Sequence, residues 1–393
     1  MSQLNFRLIS YIIGLLLLFN STAIFLTSFV SYYFSDGFFS SILKSGFICF
    51  ALGFLIMFFS KNPKKIINRR DGYLVVVIGW LTMVFSGMLP YIFTNTIDNV
   101  PDLIFETMSG YTTTGSSIIS DIEALPESII FWRSMTHWLG GMGIIVLAIA
   151  ILPMLGIGGM QLFSAEAPGS GISGDKIHPR ISNTAKRLWF IYFGLTLLET
   201  LLLNIAGMSF FDAINHSMSN IATGGFSTKN DSLSFWNSMP QIQYIIIFFM
   251  ILAGTNFLLI YLSLIGKFKK LFYNTEFIWF LGLIASFVLI TTIILNSNVD
   301  LDSTNFNHPQ VLGKLEASFR HALFQVVAII TTTGFVTGDF AAWTPFLTML
   351  FFGLMFIGAS SGSTSGGIKI SRHLILIKNG FLEFKRSLHP NAI

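Results

Sequence analysis

Residues 102–118 read DLIFETMSGYTTTGSSI, residues 212–228 read DAINHSMSNIATGGFST, and residues 321–337 read HALFQVVAIITTTGFVT. Aligned on Gly115, Gly225 and Gly334, they are three copies of one pattern, separated by 110 and 109 residues. Nine positions before each glycine stands a polar residue, Glu106, His216 and Gln325. Five or six positions after it stands an aspartate, Asp121, Asp231 and Asp339. Self-similarity at a fixed period marks a structural unit used repeatedly.

Each copy lies between long apolar runs. Residues 8–32, 40–60, 72–93, 129–158, 188–207, 241–264, 276–296 and 345–357 are each long or nearly long enough to cross about 30 Å of hydrocarbon as helices. Transmembrane strands of roughly ten alternating residues would not give such runs. Hydrophobic residues make up 53% of the chain and charged residues 11%, with a mean hydropathy of +0.70, too little polar surface to coat a soluble globule of 393 residues. The first run exceeds a signal-peptide core and no small-residue cleavage site follows Tyr32, so it reads as a retained helix. Cys49, the single cysteine, sits inside the second run and excludes both a disulfide framework and a thiolate metal cluster.

The net charge of +4 does not point to nucleic acid, because the basic residues are dispersed among the connections. With a cytoplasmic N-terminus, 18 of the 23 Lys and Arg fall on the inner side, as the positive-inside rule expects. The same topology places 13 of the 19 acids outside, among them Asp36, Asp102, Glu106 and Asp121. A carboxylate-lined outer mouth concentrates cations, an effect screened beyond about 8 Å at physiological salt.

Each unit therefore reads as a crossing helix, a half-length helix entering from outside, an extended Thr/Gly stretch and a second crossing helix. A segment such as 103–111 is too short to span, and non-helical backbone at membrane depth is tolerated only where it lines water or is buried in protein. The stretches Thr112, Thr113, Thr114, Gly115, then Ala222, Thr223, Gly224, Gly225, then Thr331, Thr332, Thr333, Gly334 offer carbonyls outside any helix. Threonine hydroxyls would supplement them, and a glycine free to take positive φ would turn them inward. Such loops around one axis would replace the hydration shell of a monovalent cation, and the C-terminal ends of the half-helices would favour a cation in the cavity. Thr/Gly clusters also occur where membrane helices merely pack closely, but three in register argue for re-entrant loops.

At these residues the sequence resembles the Trk/Ktr/HKT superfamily of potassium transporters, and within it the bacterial TrkH type. The resemblance extends through WRSMTHWLGGMGIIVLAIAILPMLGIGGMQLFSAEAPG from Trp132, DKIHPRISNTAKRLWFIY from Asp175 and FIGASSGSTSGGIKISR from Phe356. It implies an all-α polytopic protein of the cell inner (plasma) membrane, built of repeated helix–pore loop–helix units after two extra transmembrane helices. It also implies a homodimer, gating by a cytosolic nucleotide-binding ring of the TrkA type, potassium as substrate and no cofactor in this chain. Gly115, Gly225 and Gly334 match the family's filter glycines, and potassium would be held at Thr113, Thr114, Gly115, Thr223, Gly224, Thr332 and Thr333. Glycine rather than serine at 115 resembles the potassium-selective members. One glycine per loop gives fewer carbonyl rings than a TVGYG filter, so modest K⁺ over Na⁺ discrimination is expected.

The stretch Gly358, Ala359, Ser360, Ser361, Gly362, Ser363, Thr364, Ser365, Gly366, Gly367 interrupts the last apolar segment. It reads either as a flexible linker or close-packing face, or, from its position below the third loop, as part of the conduction path. The matching family segment is an intramembrane loop that obstructs the pore. Lys369 at its inner end is either an electrostatic barrier or a positive-inside anchor.

The domain plan is two N-terminal helices in 1–70, repeat 1 in 71–184, repeat 2 in 185–270, and repeat 3 with the gating loop in 271–393. A fourth filter glycine is expected near position 443 (334 + 109), beyond Ile393, so three of four units are present and the sequence reads as a piece of a longer protein. Gly169, Gly171 and Gly174 spell GxGxxG without a preceding strand and read as a cytoplasmic loop. His137, His216 and His321 lack metal-ligand spacing and read as hydrogen-bonding partners between helices. Glu199, isolated in an apolar run, reads as a structurally paired acid. Arg133 and Arg320 flank the loops and read as anchors to nearby carboxylates. Two other classes remain as alternatives: a non-conducting multi-span scaffold or receptor, and an intramembrane hydrolase, which lacks a nucleophile and base at helical spacing.

Overall fold

The computed structural model describes residues 4–60, 69–146, 181–299, 301 and 308–388. The described chain is helical, and its one isolated bridge pairs Ile357 with Ile368. Five described helices are long and apolar enough to cross a membrane, and a sixth crossing arises if one bent pair counts as a span. The chain divides into two compact units, one within Met1–Phe163 and Lys176–Ser232, the other chiefly within Leu233–Ile393. GxGxxG at 169–174, and everything after Val146 in the 129–158 run, lie outside the described residues.

In the first unit, α1 (Phe6–Phe34) and α2 (Phe39–Phe59) open the chain. Asn5 caps α1, its side chain accepting from the Leu8 amide at 3.2 Å, and Ser35 ends it in the left-handed conformation. In lipid, where apolar burial does not drive helices together, close backbone approach does. A Cβ on Gly14 would lie 2.9 Å from the Gly53 carbonyl oxygen, and one on Gly53 would lie 2.9 Å from Leu17 Cβ. The buried stripe of α1 mixes aliphatic Leu8, Ile9, Leu17 and Ile24 with small and polar residues, Gly14, Asn20, Ser21, Ala23, Thr27, Ser28 and Ser31. Hydroxyls in it bond back to helix carbonyls, as Thr27 does to Ala23 at 3.0 Å. In the α1–α2 connection burial raises the Asp36 carboxyl, but hydrogen bonds from Ser128, Ser31 and the Phe38 amide outweigh that and hold it below its ordinary value.

Next come α3 (Arg69–Gly87) and its continuation α4 (Leu89–Thr94), the short α5 (Val100–Tyr111) that leads into the first Thr/Gly stretch, and α6 (Glu127–Val146). Further along the chain come α7 (Ile181–Ile205) and the short α8 (Phe210–Ile221), which leads into the second Thr/Gly stretch. At 12 residues each, α5 and α8 are about 18 Å long, too short to cross about 30 Å of hydrocarbon. Asp102 and Asp212 stand in their first turns, where a negative charge complements the helix dipole. Ser209 caps α8 by accepting from the Asp212 amide at 3.0 Å.

The second unit contains α9 (Pro240–Ala253) and α10 (Phe257–Leu264), then the short α11 (Lys269–Phe272) and the crossing α12 (Thr275–Asn298). The helix α13 (Lys314–Ile330), which leads into the third Thr/Gly stretch, α14 (Pro345–Leu354), the loop 355–369 and the exposed α15 (Ile370–Leu388) follow. Residues 241–264 read from hydropathy as one crossing helix. They are instead two helices bent by 103° at residues 254–256. Hydropathy averages over a break of three residues, whereas Gly254, Thr255 and the capping Asn256, whose side chain accepts from the Leu258 amide at 2.8 Å, end one helix and start another. The run 345–357 likewise yields a helix of only 10 residues, because the backbone leaves helical geometry ahead of the Gly/Ser stretch.

Candidate functional site

The three Thr/Gly segments adopt one backbone conformation. Each half-helix ends at a C-cap in right-handed geometry, Thr112, Ala222 or Thr331. The next residue is left-handed in every case, Thr113 at φ 54°, Thr223 at φ 54° and Thr332 at φ 56°. Gly115, Gly225 and Gly334 follow at φ 76°, 85° and 80°. The exits are Schellman motifs: the Thr114, Gly224 and Thr333 amides donate to the Ser109, Ser219 and Ala328 carbonyls at 2.9, 2.8 and 2.9 Å. The Thr113, Thr223 and Thr332 amides donate to Gly110, Asn220 and Ile329 at 3.1, 2.8 and 3.0 Å. Glycine normally takes the left-handed site of this motif. A β-branched residue there costs about 1–3 kcal/mol and persists only where its surroundings over-determine it.

Past each cap the backbone leaves the hydrogen-bonded ladder. Among the described residues no hydrogen bond is accepted by the carbonyls of Thr113 and Thr114, of Thr223 and Gly224, or of Thr332 and Thr333. Several of the hydroxyls expected to supplement them are engaged in the turn itself. Thr112 donates to the Met108 carbonyl and pairs with Thr114, both at 2.7 Å, while Thr331 donates to Val327 at 2.7 Å and pairs with Thr333 at 2.8 Å. The groups these turns leave available are therefore backbone carbonyls, hard oxygen ligands suited to a weakly hydrated monovalent cation.

The polar residue nine positions before each glycine holds the ascending strand in two copies. Glu106, fully buried, accepts from Ser117 Oγ at 3.0 Å, the Ile118 amide at 3.1 Å and Arg133 Nε at 2.9 Å. His216 Nε2 meets Ser227 Oγ at 3.0 Å. In the third copy the task passes to His321 one turn earlier, which meets Thr337 Oγ1 at 2.9 Å, while Gln325 Oε1 is buried without a partner. The second copy uses both levels, since Asp212 also accepts from Thr228 at 2.5 Å. The histidines thus bond chiefly to the loops, and His137 to Ser219 of α8 at 3.0 Å. Arg320 pairs with Glu316 at 2.8 Å, and Glu199 accepts from Asn220 Nδ2 at 2.5 Å.

Helix α6 locks the first two turns together. Gly140 and Gly141 of its WLGGMG segment let it touch the half-helix ends: a Cβ on Gly140 would overlap the Tyr111 carbonyl, and one on Gly141 would lie 2.9 Å from Ala222 Cα. Phe226, just after Gly225, lies between the Arg133 guanidinium, 4.1 Å from the ring centroid, and the His137 ring stacked at 3.9 Å.

In the second unit the loop 358–367 is laced to the third turn and to the break in the α9–α10 pair. The Gly366 amide donates to Thr332 Oγ1 at 2.6 Å. Ser360 donates through its amide to the Gly254 carbonyl at 3.0 Å, and Gly362 accepts from the Phe257 amide at 3.1 Å, so the loop satisfies backbone groups that the broken helix leaves open. Glu276 accepts from the Ser361 amide at 2.6 Å and Ser361 Oγ at 2.9 Å. Lys369 folds back into the loop, donating to Ser365 Oγ at 3.0 Å, Ser363 Oγ at 3.4 Å and the Ser365 carbonyl. The loop's ends are joined by the Gly358 amide donating to the Ile368 carbonyl at 2.9 Å.

Residues 39–393 match the TrkH family model, described as a cation transport protein. The chain belongs to the TrkH family of cation transport proteins. The Trk system potassium uptake protein TrkH of Salmonella typhimurium is 40% identical over 392 residues, covering 99% of this chain and 78% of that protein. The TrkH of Escherichia coli strain K12 is similar to the same extent. The crystal structure of the potassium transporter TrkH from Vibrio parahaemolyticus matches with a TM-score of 0.86 at 36% identity, over 99% of this chain and 78% of that one.

For this TrkH-family chain, sequence reasoning missed the left-handed threonines 113, 223 and 332, because the glycine two positions later drew the positive-φ argument. It also missed Glu276, Asn20 and Phe226, whose partners are distant in sequence. The register did hold one clue, since a threonine precedes each glycine by two positions in all three copies.

Proposed function

We propose that this chain is the potassium-translocating membrane subunit of a Trk-type uptake system, with its N-terminus cytoplasmic in the inner membrane. The observation that carries this reading is the threefold recurrence of one strained turn whose carbonyls accept no hydrogen bond among the described residues. The chain's named relatives are potassium uptake proteins, which supports potassium as the ion. In this reading the carbonyls of Thr113, Thr114, Gly115, Thr223, Gly224, Thr332 and Thr333 replace the ion's hydration shell along one path. The C-terminal ends of α5, α8 and α13 add a favourable potential for a cation beneath them.

The loop 358–367 is the gate of this path, held closed by its bonds to Thr332 and Glu276 and moved by a cytosolic nucleotide-binding ring beneath a homodimer. Small residues allow such a segment to switch arrangement at low energetic cost. The decisive experiment is radioactive rubidium uptake by purified protein in liposomes, competed by K⁺ or Na⁺, with and without a proton gradient. Uptake displaced by K⁺ more strongly than by Na⁺ is expected. Folded protein with no flux would overturn the reading in favour of a non-conducting scaffold.

A further inference from the structure

Asn20 is a polar side chain in the middle of an apolar crossing helix, and it is fully buried. Its Oδ1 accepts from the Tyr111 hydroxyl at 2.7 Å and its Nδ2 donates to Ser86 Oγ at 2.7 Å. Ser86 in turn donates to the Met83 carbonyl at 3.1 Å. A buried polar relay thus joins α1 and α3 to the last residue of α5, the residue immediately before the first Thr/Gly turn.

Tyr111 is held from two further sides. Its ring lies over Gly87, where a Cβ would come within 2.8 Å of the hydroxyl oxygen, and Trp132 Nε1 donates to the Gly87 carbonyl at 3.0 Å. Its carbonyl abuts Gly140. The equivalent residues in the other copies are Ile221 and Ile330, which have no hydroxyl. The first turn is therefore distinguished by a side-chain tether, whose far end is α1, a helix lying ahead of the residues that the family model matches. Hydrogen bonds with no competing water are costly to leave unmade.

We infer that Asn20 is a positioning residue for ion selectivity, fixing the first filter turn through Tyr111 and so giving the extra N-terminal helix a direct part in discrimination. This rests on the assignment of the Thr/Gly turns as the filter. Asn20 touches no ion; it sets how far the end of α5, and with it Thr112 and Thr113, can shift when a smaller cation enters.

The test compares N20L, Y111F and the N20L/Y111F double variant with G115S, all full-length in liposomes. The readouts are the K⁺:Na⁺ flux ratio per folded protein and the melting temperature. N20L and Y111F are each expected to lower the ratio by about fivefold, the equilibrium factor of one net buried hydrogen bond, and the double variant no further than the larger single effect. Y111F, which removes one oxygen, keeps the question answerable if N20L does not fold. Wild-type ratios in Y111F and N20L beside a changed ratio in G115S would overturn the inference alone, even if melting temperatures fall. An unchanged ratio in G115S would overturn the filter assignment and the inference with it.

Discussion

Gly115 has no room for a side chain, because a Cβ there would run into the carbonyl oxygen of Gly224, the residue before Gly225. The two turns touch backbone to backbone, and Gly115 also holds φ 76°. Gly334 differs: its φ of 80° equally favours glycine, but nothing within its own unit lies close to a Cβ. G115S must therefore displace a turn, whereas G334A carries only the backbone cost of about 1–3 kcal/mol. G115S should raise relative Na⁺ permeation far more than G334A does, measured by K⁺ and Na⁺ competition of rubidium uptake. Equal effects of the two would sink the assignment of Gly224 as the controlling contact.

Glu276 holds the loop 358–367 through two hydrogen bonds from Ser361. Bonds to an ionised carboxylate are worth roughly 1.5–3 kcal/mol, so E276A should raise basal flux in the absence of the cytosolic partner by about tenfold or more. Deleting most of 358–367 should exceed that effect and remove dependence on the partner. Flux at the wild-type level in a folded deletion variant would show that the loop is not the barrier.

Arg133 and Glu106 form an ion pair with side chains 1% and 0% exposed. Removing one partner leaves the other charged and buried, at a cost of about 3–5 kcal/mol. R133A should accordingly lower the melting temperature much more than removal of the exposed Arg386–Glu383 pair, 73% and 67% accessible. Because Arg133 also covers Phe226, the R133M/E106Q variant should recover part of the stability while still perturbing the second turn.

His308 stacks on His321 at 3.7 Å and accepts from Trp343 Nε1 at 3.2 Å. Burial first, and the nearby Arg320 charge second, hold its imidazole down at about 4 against an ordinary 6.5. A lowered folded-state value means that the unfolded chain binds the proton more readily. The stabilising contribution is therefore complete above pH 6.5 and is lost progressively as pH falls towards about 4. Melting temperatures from roughly pH 7.5 down to about pH 4.5 should decline in the wild type and decline less in H308Q. Identical pH profiles would remove His308 as the cause.

The membrane setting, the half-length helices and the register of the three turns were legible in the sequence, because hydropathy and period are properties of neighbouring residues. A helix of 12 residues cannot hide its length, and three glycines at a constant spacing reveal a repeated backbone need. Only the tertiary structure decided what enforces those turns. The left-handed threonines sit where local preference alone would place glycine, so the surroundings had to supply the constraint. Those surroundings are built across long separations: Tyr111 reaches Asn20 over 91 residues and Ser361 reaches Glu276 over 85. The bend at residues 254–256 belongs to the same class, since a break inside an apolar run is stable only once a loop about a hundred residues later satisfies its backbone. Such partners leave no trace in local periodicity. They become visible when folding brings the groups within hydrogen-bond distance, in a medium that offers no water as a substitute.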